Sequence, residues 1–227
     1  MSRLELNGFG VSYAGSAALR GVDLTLAESD LLWVVGRNGS GRSSLLRGLM
    51  GLAATQGTAR LDAQPLGALA PWEIARLGVG YAPDTREVFG TLSVRENLAV
   101  VPVRAAWCTA NGLLERFAPL QARARVAAAR LSGGEQKLLA IARAALGATR
   151  LLLVDEPYEG LAAAMCDEVD AVLAQARKAG VSVICTDRGL ERSAAQASAW
   201  LLLGAGEPRH YGPPAAGHPA FEEWMTE

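Results

Sequence analysis

A glycine-rich segment between an apolar run and a helix-like run constrains the fold of this chain more than any other feature. Leu31 to Val35 is a short apolar run typical of a buried strand, and Leu45 to Met50 has the pattern of a helix. Between them lies Gly36-Arg37-Asn38-Gly39-Ser40-Gly41-Arg42-Ser43-Ser44. Glycines let backbone N–H groups turn inward, and a helix N-terminus adds a partial positive charge. A strand, a glycine-rich turn and a helix in this order predict a phosphate-binding loop.

Further apolar and alternating runs predict the sheets. Leu151 to Val154, Val181 to Cys185 and Trp200 to Leu203 are short apolar runs, and several of the runs are followed by helix-like stretches, which indicates parallel βα units. Leu4 to Tyr13 and Val22 to Leu26 alternate with period two, as strands with one exposed face do. We therefore predict an α/β fold with a mostly parallel sheet, flanked by an antiparallel β subdomain.

The middle of the chain has a different composition. Ser93 to about Arg130 is rich in Ala, Arg and Leu, with Pro102 and Pro119 as breaks, which favours a small helical subdomain. We predict one domain over residues 1–227, in which residues 1–92 and 131–227 form the core with its antiparallel layer and residues 93–130 form the helical subdomain. After Gly204 we expect a short strand and a terminal helix.

Length and charge exclude some classes of protein. The 227 residues suffice for one large domain but not for two tandem copies. The formal net charge of −1 leaves no basic footprint, so no nucleic-acid partner is expected. The longest apolar runs fall well short of the roughly 18 residues that span a bilayer, and the N-terminus lacks a signal-peptide core, which favours a cytoplasmic protein. Cys108, Cys166 and Cys185 lie far from one another and from His210 and His218, which indicates reduced thiols rather than a zinc site.

Two later motifs complete the pattern. Asp155 and Glu156 follow the run Leu151 to Val154, at the strand end where open α/β sheets hold ligands. Leu131-Ser132-Gly133-Gly134-Glu135-Gln136 would begin a helix whose N-terminus faces phosphate. With the glycine-rich loop, these motifs resemble the nucleotide-binding subunit of an ABC transporter over nearly the whole chain. A plain βα turn containing glycines, and a strand end with ordinary acids, are the structural alternatives to each motif taken alone.

The resemblance implies a P-loop NTPase core that binds ATP and Mg²⁺. Ser43, Asp155 and Asp84 would hold the metal ion, and Glu156 would be the general base, with Asp84 and Arg188 as further catalytic residues. The expected nucleotide-binding residues are Tyr13, Gly36, Asn38, Gly39, Ser40, Gly41, Arg42, Ser43, Ser44, Ser132, Gly133, Gly134 and Gln136. Tyr13 would stack on adenine, although a lone tyrosine is as often an ordinary strand residue. The signature at Ser132 would reach the ATP held by the opposite subunit of a head-to-tail dimer.

Three positions depart from the family pattern. Arg42 stands for a lysine, Asp84 for a glutamine and Arg188 for a histidine. Arginine keeps the charge but has a larger, planar group, and an ionised aspartate cannot donate a hydrogen bond. Because the summed charge of the site is unchanged, we hypothesise that Arg42 or Arg188 pairs with Asp84 when nucleotide is absent, in a pocket that binds Mg-ATP but hydrolyses it poorly. Independent drift of three tolerated positions is the alternative.

Shorter motifs indicate a subfamily. Gly36 to Gly39, Arg86 to Phe89 with Leu92 to Leu98, and Glu159 to Ala162 are similar to the branched-chain amino acid and urea uptake ATPases. This implies an ATP-binding subunit of an importer for an amino acid or a related small polar solute, peripheral on the inner face of the cell membrane. Its partners would be membrane permease subunits, a second ABC ATPase subunit or a second copy of itself, and indirectly a periplasmic solute-binding protein.

Two other functions compete with the importer ATPase. A catalytically degenerate subunit would bind nucleotide and complete a partner's composite site through its intact signature. A soluble ABC ATPase of DNA repair or translation fits less well, because the former needs long insertions and the latter usually tandem domains. The intact Glu156 favours turnover, whereas the three substitutions favour the degenerate subunit.

Overall fold

The computed structural model describes residues 2–189 and 197–213, and within them the chain forms two sheets. The strands are β1 Ser2–Tyr13, β2 Ser16–Ala27, β3 Leu31–Gly36, β4 Ala54–Leu61, β5 Gln64–Pro65, β6 Val79–Ala82, β7 Leu151–Val154, β8 Ser182–Asp187, β9 Ala199–Gly204 and β10 Glu207–Gly212. The first sheet is antiparallel, with the order β2-β1-β4-β5. The second has the order β10-β9-β3-β8-β7-β6, parallel except for the edge strand β10. The predicted fold class is confirmed.

Helices pack against both faces of the parallel sheet and fill the middle of the chain. They are α1 Arg42–Leu49, α2 Pro71–Arg76, α3 Val94–Ala99, α4 Ala110–Arg116, α5 Ala118–Ala122, α6 Gly133–Gly147 and α7 Ala163–Lys178, with a 3-10 helix at Ala128–Arg130. Residues 93–130 therefore contain α3, α4, α5 and the 3-10 helix, while their separation as a subdomain stays a prediction. In the described part of the chain, no helix is both long and apolar enough to cross a membrane.

The parallel sheet is buried on both faces. Every residue of β3 and β7 is buried, which explains why these strands are continuous apolar runs. Leu31, Trp33 and Val35 face a core that includes α6 and α7, whereas Leu32 and Val34 face a second core shared with the antiparallel sheet. The three cysteines are buried, and no disulfide bond forms among them or with any other described residue.

Three strands, β4, β5 and β6, lie outside the sequence prediction, and β5 has only two residues. Strand β4 is largely polar and exposed, and strand β6 is only four residues long and contains a glycine. That glycine is required by packing, because a Cβ on Gly80 would lie 2.1 Å from the carbonyl oxygen of Ala144 on α6. The expected short strand after Gly204 is β10, and the expected terminal helix lies outside the described residues.

Candidate functional site

The glycine-rich loop connects the carboxyl end of β3 to the N-terminus of α1. Gly39 and Gly41 have φ of 79° and 97°, which favour glycine, and a Cβ on Gly36 would lie 2.3 Å from Ser40 Oγ. Asn38 in the loop is exposed. Arg42, Ser43 and Ser44 form the first turn of α1. The loop therefore presents backbone N–H groups and a helix N-terminus to one space, as a phosphate site requires.

The two carboxylates lie at the carboxyl end of β7, two strands from β3. The Asp155 side chain is fully buried, and the Thr186 hydroxyl donates a hydrogen bond to it. The backbone N–H of Glu156 donates to the same hydroxyl at 2.9 Å. Burial raises the pKa of Asp155, hydrogen bonds from Thr186 and then Ser43 act in the opposite direction, and Asp84 raises it again. Both Ser43 and Asp84 are thus close enough to Asp155 to affect the pKa of its carboxyl group.

Two arginines hold the Glu156 side chain. Arg42 Nη2 donates to Glu156 Oε1 at 2.8 Å, and Arg188 donates through Nε to Oε1 at 3.1 Å and through Nη2 to Oε2 at 2.8 Å. Arg188 also reaches Glu159 at 3.2 Å. The hypothesis that Arg42 or Arg188 pairs with Asp84 is therefore wrong, because both side chains pair with Glu156 instead.

The polar groups of this pocket suit a magnesium-bound polyphosphate. Ser40 Oγ, Arg42 Nη1 and Asp155 Oδ2 are buried and have no hydrogen-bond partner among the described residues. Buried polar atoms are nearly always paired, so three unpaired ones near a glycine-rich loop indicate a ligand that supplies oxygens and a cation. In the described part of the chain, His, Cys, Asp and Glu form no group of three that could hold a metal ion. A metal ion here would need phosphate or water oxygens to complete its shell.

The signature motif begins helix α6. The Ser132 hydroxyl accepts the N–H of Glu135 at 3.3 Å, and a Glu135 carboxylate oxygen accepts the N–H of Ser132 at 2.7 Å, a reciprocal cap. A Cβ on Gly133 would lie 2.6 Å from Arg86 Nη1, and one on Gly134 would lie 2.6 Å from the Gly160 carbonyl oxygen. Separately, the amide nitrogen of Gln136, predicted to bind nucleotide, donates to the Ala128 carbonyl oxygen at 3.1 Å.

Lys137 is a buried cation that the sequence analysis did not single out. Its side chain is fully buried, and its Nζ donates to the backbone carbonyl oxygen of Asp155 at 2.6 Å. Burial lowers the pKa of this lysine, while Asp155 and then Asp84 act to raise it. The contact joins the signature helix to the strand that carries the carboxylates. The position of this lysine on the apolar face of a predicted helix is the sequence feature that could have identified it.

Two remaining predicted positions lie at the margins of the pocket. Tyr13 ends β1 and is 40% exposed, so its ring is accessible to a ligand. Asp84 follows β6, beside a surface cleft of about 460 Å³. The cleft is lined by Pro83 and Glu87 from the same loop and by Trp72, which is 64% exposed.

Comparison with known proteins agrees with this geometry. A family model described as ABC transporter matches residues 19–159. The chain is 32% identical over 186 residues to the high-affinity branched-chain amino acid transport ATP-binding protein BraG of Pseudomonas aeruginosa, covering 80% of each. It is 27% identical over 222 residues to the lipopolysaccharide export system ATP-binding protein LptB of Escherichia coli K12, covering 94% of this chain and 92% of LptB. A dimeric structure of a post-hydrolysis state of the ATP-binding cassette MJ0796, bound to ADP and Pi, has a TM-score of 0.82 at 21% identity, over 94% of this chain and 99% of that one.

Proposed function

Because this chain belongs to the ABC transporter family, we propose that it is the ATP-binding subunit of an ABC importer, which couples ATP binding and hydrolysis to uptake of an amino acid or a related small polar solute. The observation that carries the proposal is the 2.8 Å contact between Arg42 of the phosphate loop and Glu156 after β7. It unites a phosphate-binding loop and a candidate general base in one pocket.

Most of the predicted site residues have a role in this proposal. The backbone of Gly39, Ser40 and Gly41 and the first turn of α1 bind the phosphates. Ser43 and Asp155, with Asp84 nearby, hold Mg²⁺, which supplies positive charge beside the phosphates. Glu156 accepts the proton of the attacking water. Ser132, Gly133 and Gly134 bind the nucleotide of a facing subunit.

The surface beside Asp84 supports a membrane partner. The cleft beside Pro83 exposes the Trp72 ring and is also lined by Met50 and Arg76, and aromatic residues, methionine and arginine are the types enriched at protein interfaces. We propose that permease subunits dock here, which would place the protein on the inner face of the membrane. Its direct partners are then the permease and a second ATPase subunit or second copy, and a periplasmic solute-binding protein acts through the permease.

The first test is Mg-ATP binding and hydrolysis by the purified chain. We expect saturable binding and slow hydrolysis that Glu156→Gln abolishes. The triple variant Arg42→Lys, Asp84→Gln, Arg188→His restores the family residues and is expected to hydrolyse ATP faster, because removal of one preorganised donor costs about 10²–10³ in rate. Failure to bind Mg-ATP at millimolar concentration would refute the proposal.

The direction of transport needs its own experiment, since relatives of both kinds exist: BraG is named for amino acid transport and LptB for lipopolysaccharide export. The complex with its permease is reconstituted in vesicles, and ATP hydrolysis is measured with solute-loaded binding protein on the opposite face. Stimulation by the loaded binding protein, and none by lipopolysaccharide, is expected of an importer. The reverse pattern would support an exporter.

A second candidate function is a degenerate subunit that binds nucleotide without hydrolysing it. The observation that favours it is the engagement of Glu156 by three N–H groups of two arginines, which leaves this carboxylate poorly placed to activate water. Such a subunit would contribute the signature motif at Ser132, which would complete the nucleotide site of a partner subunit. Binding without hydrolysis in the native chain, with hydrolysis in the triple variant, would select this function.

A further inference from the structure

The arrangement around Glu156 couples the phosphate loop to the candidate general base. Glu156 has a positive φ of 46° and its side chain is 11% exposed. Oε1 accepts from Arg42 and Arg188, and within residues 2–189 and 197–213 Oε2 accepts only from Arg188. A carboxylate has about four acceptor positions, and here three are used by arginine N–H groups.

The two arginines differ in their exposure to solvent and in their hydrogen-bond partners. The Arg188 side chain is 53% exposed and shared with Glu159, so solvent screens its contact. Arg42 is only 6% exposed, and its Nη1 is buried without a partner among the described residues. Its contact with Glu156 therefore satisfies one side of the guanidinium and leaves the other unsatisfied.

A phosphate group would satisfy this guanidinium better than Glu156 does. The planar fork of arginine binds phosphate through two parallel N–H groups, whereas here Glu156 engages only Nη2. Arg42 is in the first turn of α1, beside the loop that presents backbone N–H groups. A lysine would offer a single compact ammonium group at this position and no second branch to hold the carboxylate.

We propose that Arg42 is a phosphate-responsive positioning residue that holds Glu156 in the nucleotide-free chain and releases it when the polyphosphate of a nucleotide takes over the guanidinium. The inference rests on the proposed nucleotide binding. Phosphate and Glu156 compete for the guanidinium group of Arg42, so Glu156 weakens nucleotide binding. When a nucleotide binds, Glu156 is released from Arg42. Arg188 continues to orient Glu156 after Arg42 has left.

The test is a double-mutant cycle on nucleotide affinity, measured by calorimetry with Mg-ATP and with adenosine, which lacks phosphate. Glu156→Gln removes the competing charge and is expected to tighten Mg-ATP binding about tenfold, the size typical of coupled residues in contact. In the Arg42→Lys background the same change should have an effect of less than about threefold, because the coupling is gone. Adenosine affinity should not respond in either background.

Controls separate this coupling from simple charge removal. Glu159→Gln makes the same change at a residue that contacts Arg188 but not Arg42, and it is expected to alter Mg-ATP affinity less than about twofold. Arg42→Gln provides a second background if thermal melting shows that Arg42→Lys is unfolded.

The outcomes distinguish the two proposals. Equal tightening by Glu156→Gln in the native chain and in the Arg42→Lys or Arg42→Gln background would overturn the competition while leaving nucleotide binding intact. Weaker Mg-ATP binding in Glu156→Gln would show that Arg42 serves both groups at once, which also overturns it. Absence of Mg-ATP binding in every variant would overturn the proposed function together with the inference.

Discussion

The side chain of Asn97 and the backbone of Phe89 form two reciprocal hydrogen bonds. The Phe89 N–H donates to Asn97 Oδ1 at 2.9 Å, and Asn97 Nδ2 donates to the Phe89 carbonyl oxygen at 2.9 Å. Nδ2 also donates to the carbonyl oxygens of Leu92 and Ser93, at 3.1 and 3.0 Å. The Asn97 side chain is fully buried, so one amide holds the loop between the Asp84 segment and α3.

Asn97→Asp is expected to destabilise the protein by about 3 kcal/mol, because it replaces a buried donor with an oxygen that faces three carbonyl oxygens. The free energy of unfolding from urea titration measures the effect. Asn111→Asp is the matched control, since Asn111 is exposed and accepts from Arg95 at 3.5 Å, and its effect should stay within about 0.5 kcal/mol. Similar losses in the two variants would contradict the role of Asn97.

Gly36→Ala is expected to cost about 2 kcal/mol or more and to abolish nucleotide binding. The added Cβ would lie 2.6 Å from the Leu203 carbonyl oxygen as well as close to Ser40, and a backbone atom cannot move aside cheaply. Gly133→Ala places a Cβ equally close to Arg86 Nη1, which is the end of a flexible side chain, so its stability should change by less than about 0.5 kcal/mol. Urea titration of both variants checks this, and equal losses would refute it.

Ser132→Ala and Ser93→Ala remove the same kind of helix cap, since each serine caps its helix together with the glutamate three residues later. Each variant should lose about 1 kcal/mol of stability. Only Ser132→Ala should slow ATP turnover in the assembled dimer, because only this serine belongs to the signature. Thermal melting and an ATPase assay on both variants provide the comparison, and equal turnover would place the signature outside the reaction.

Cys108 is expected to make stability fall at alkaline pH. Burial raises the pKa of its thiol from 9.0 to about 11. Between these values the unfolded chain loses the thiol proton while the folded chain keeps it, so the free energy of unfolding decreases as pH rises. This contribution is about 2 kcal/mol, so the decrease measured by urea titration from about pH 8 to about pH 11 should be smaller by that amount in Cys108→Ala. Parallel pH curves for the two proteins would contradict it.

The elements that could be predicted from the sequence are those with a clear local hydrophobic pattern. Apolar runs such as Leu151 to Val154 gave strands at the predicted places because a strand buried on both faces needs apolar residues throughout. Strand β4 escaped prediction because it is largely exposed and polar. Asn97 lay in a recognised segment, yet its four hydrogen bonds with the backbone depend on how the preceding loop folds back, which composition does not encode.

Arg42 and Arg188 show what the sequence determines and what only the tertiary structure decides. Sequence alone determined that Arg42 and Arg188 bring two guanidinium groups to a phosphate loop and a strand end, because glycine-rich turns and buried strands are local features of the chain. Only the tertiary structure decided which carboxylate they hold. The order β3-β8-β7 and the positive φ of Glu156 bring that side chain within hydrogen-bonding distance of both arginines. The net charge of the site follows from the list of its residues, whereas the contacts between them depend on how the strands are arranged in space.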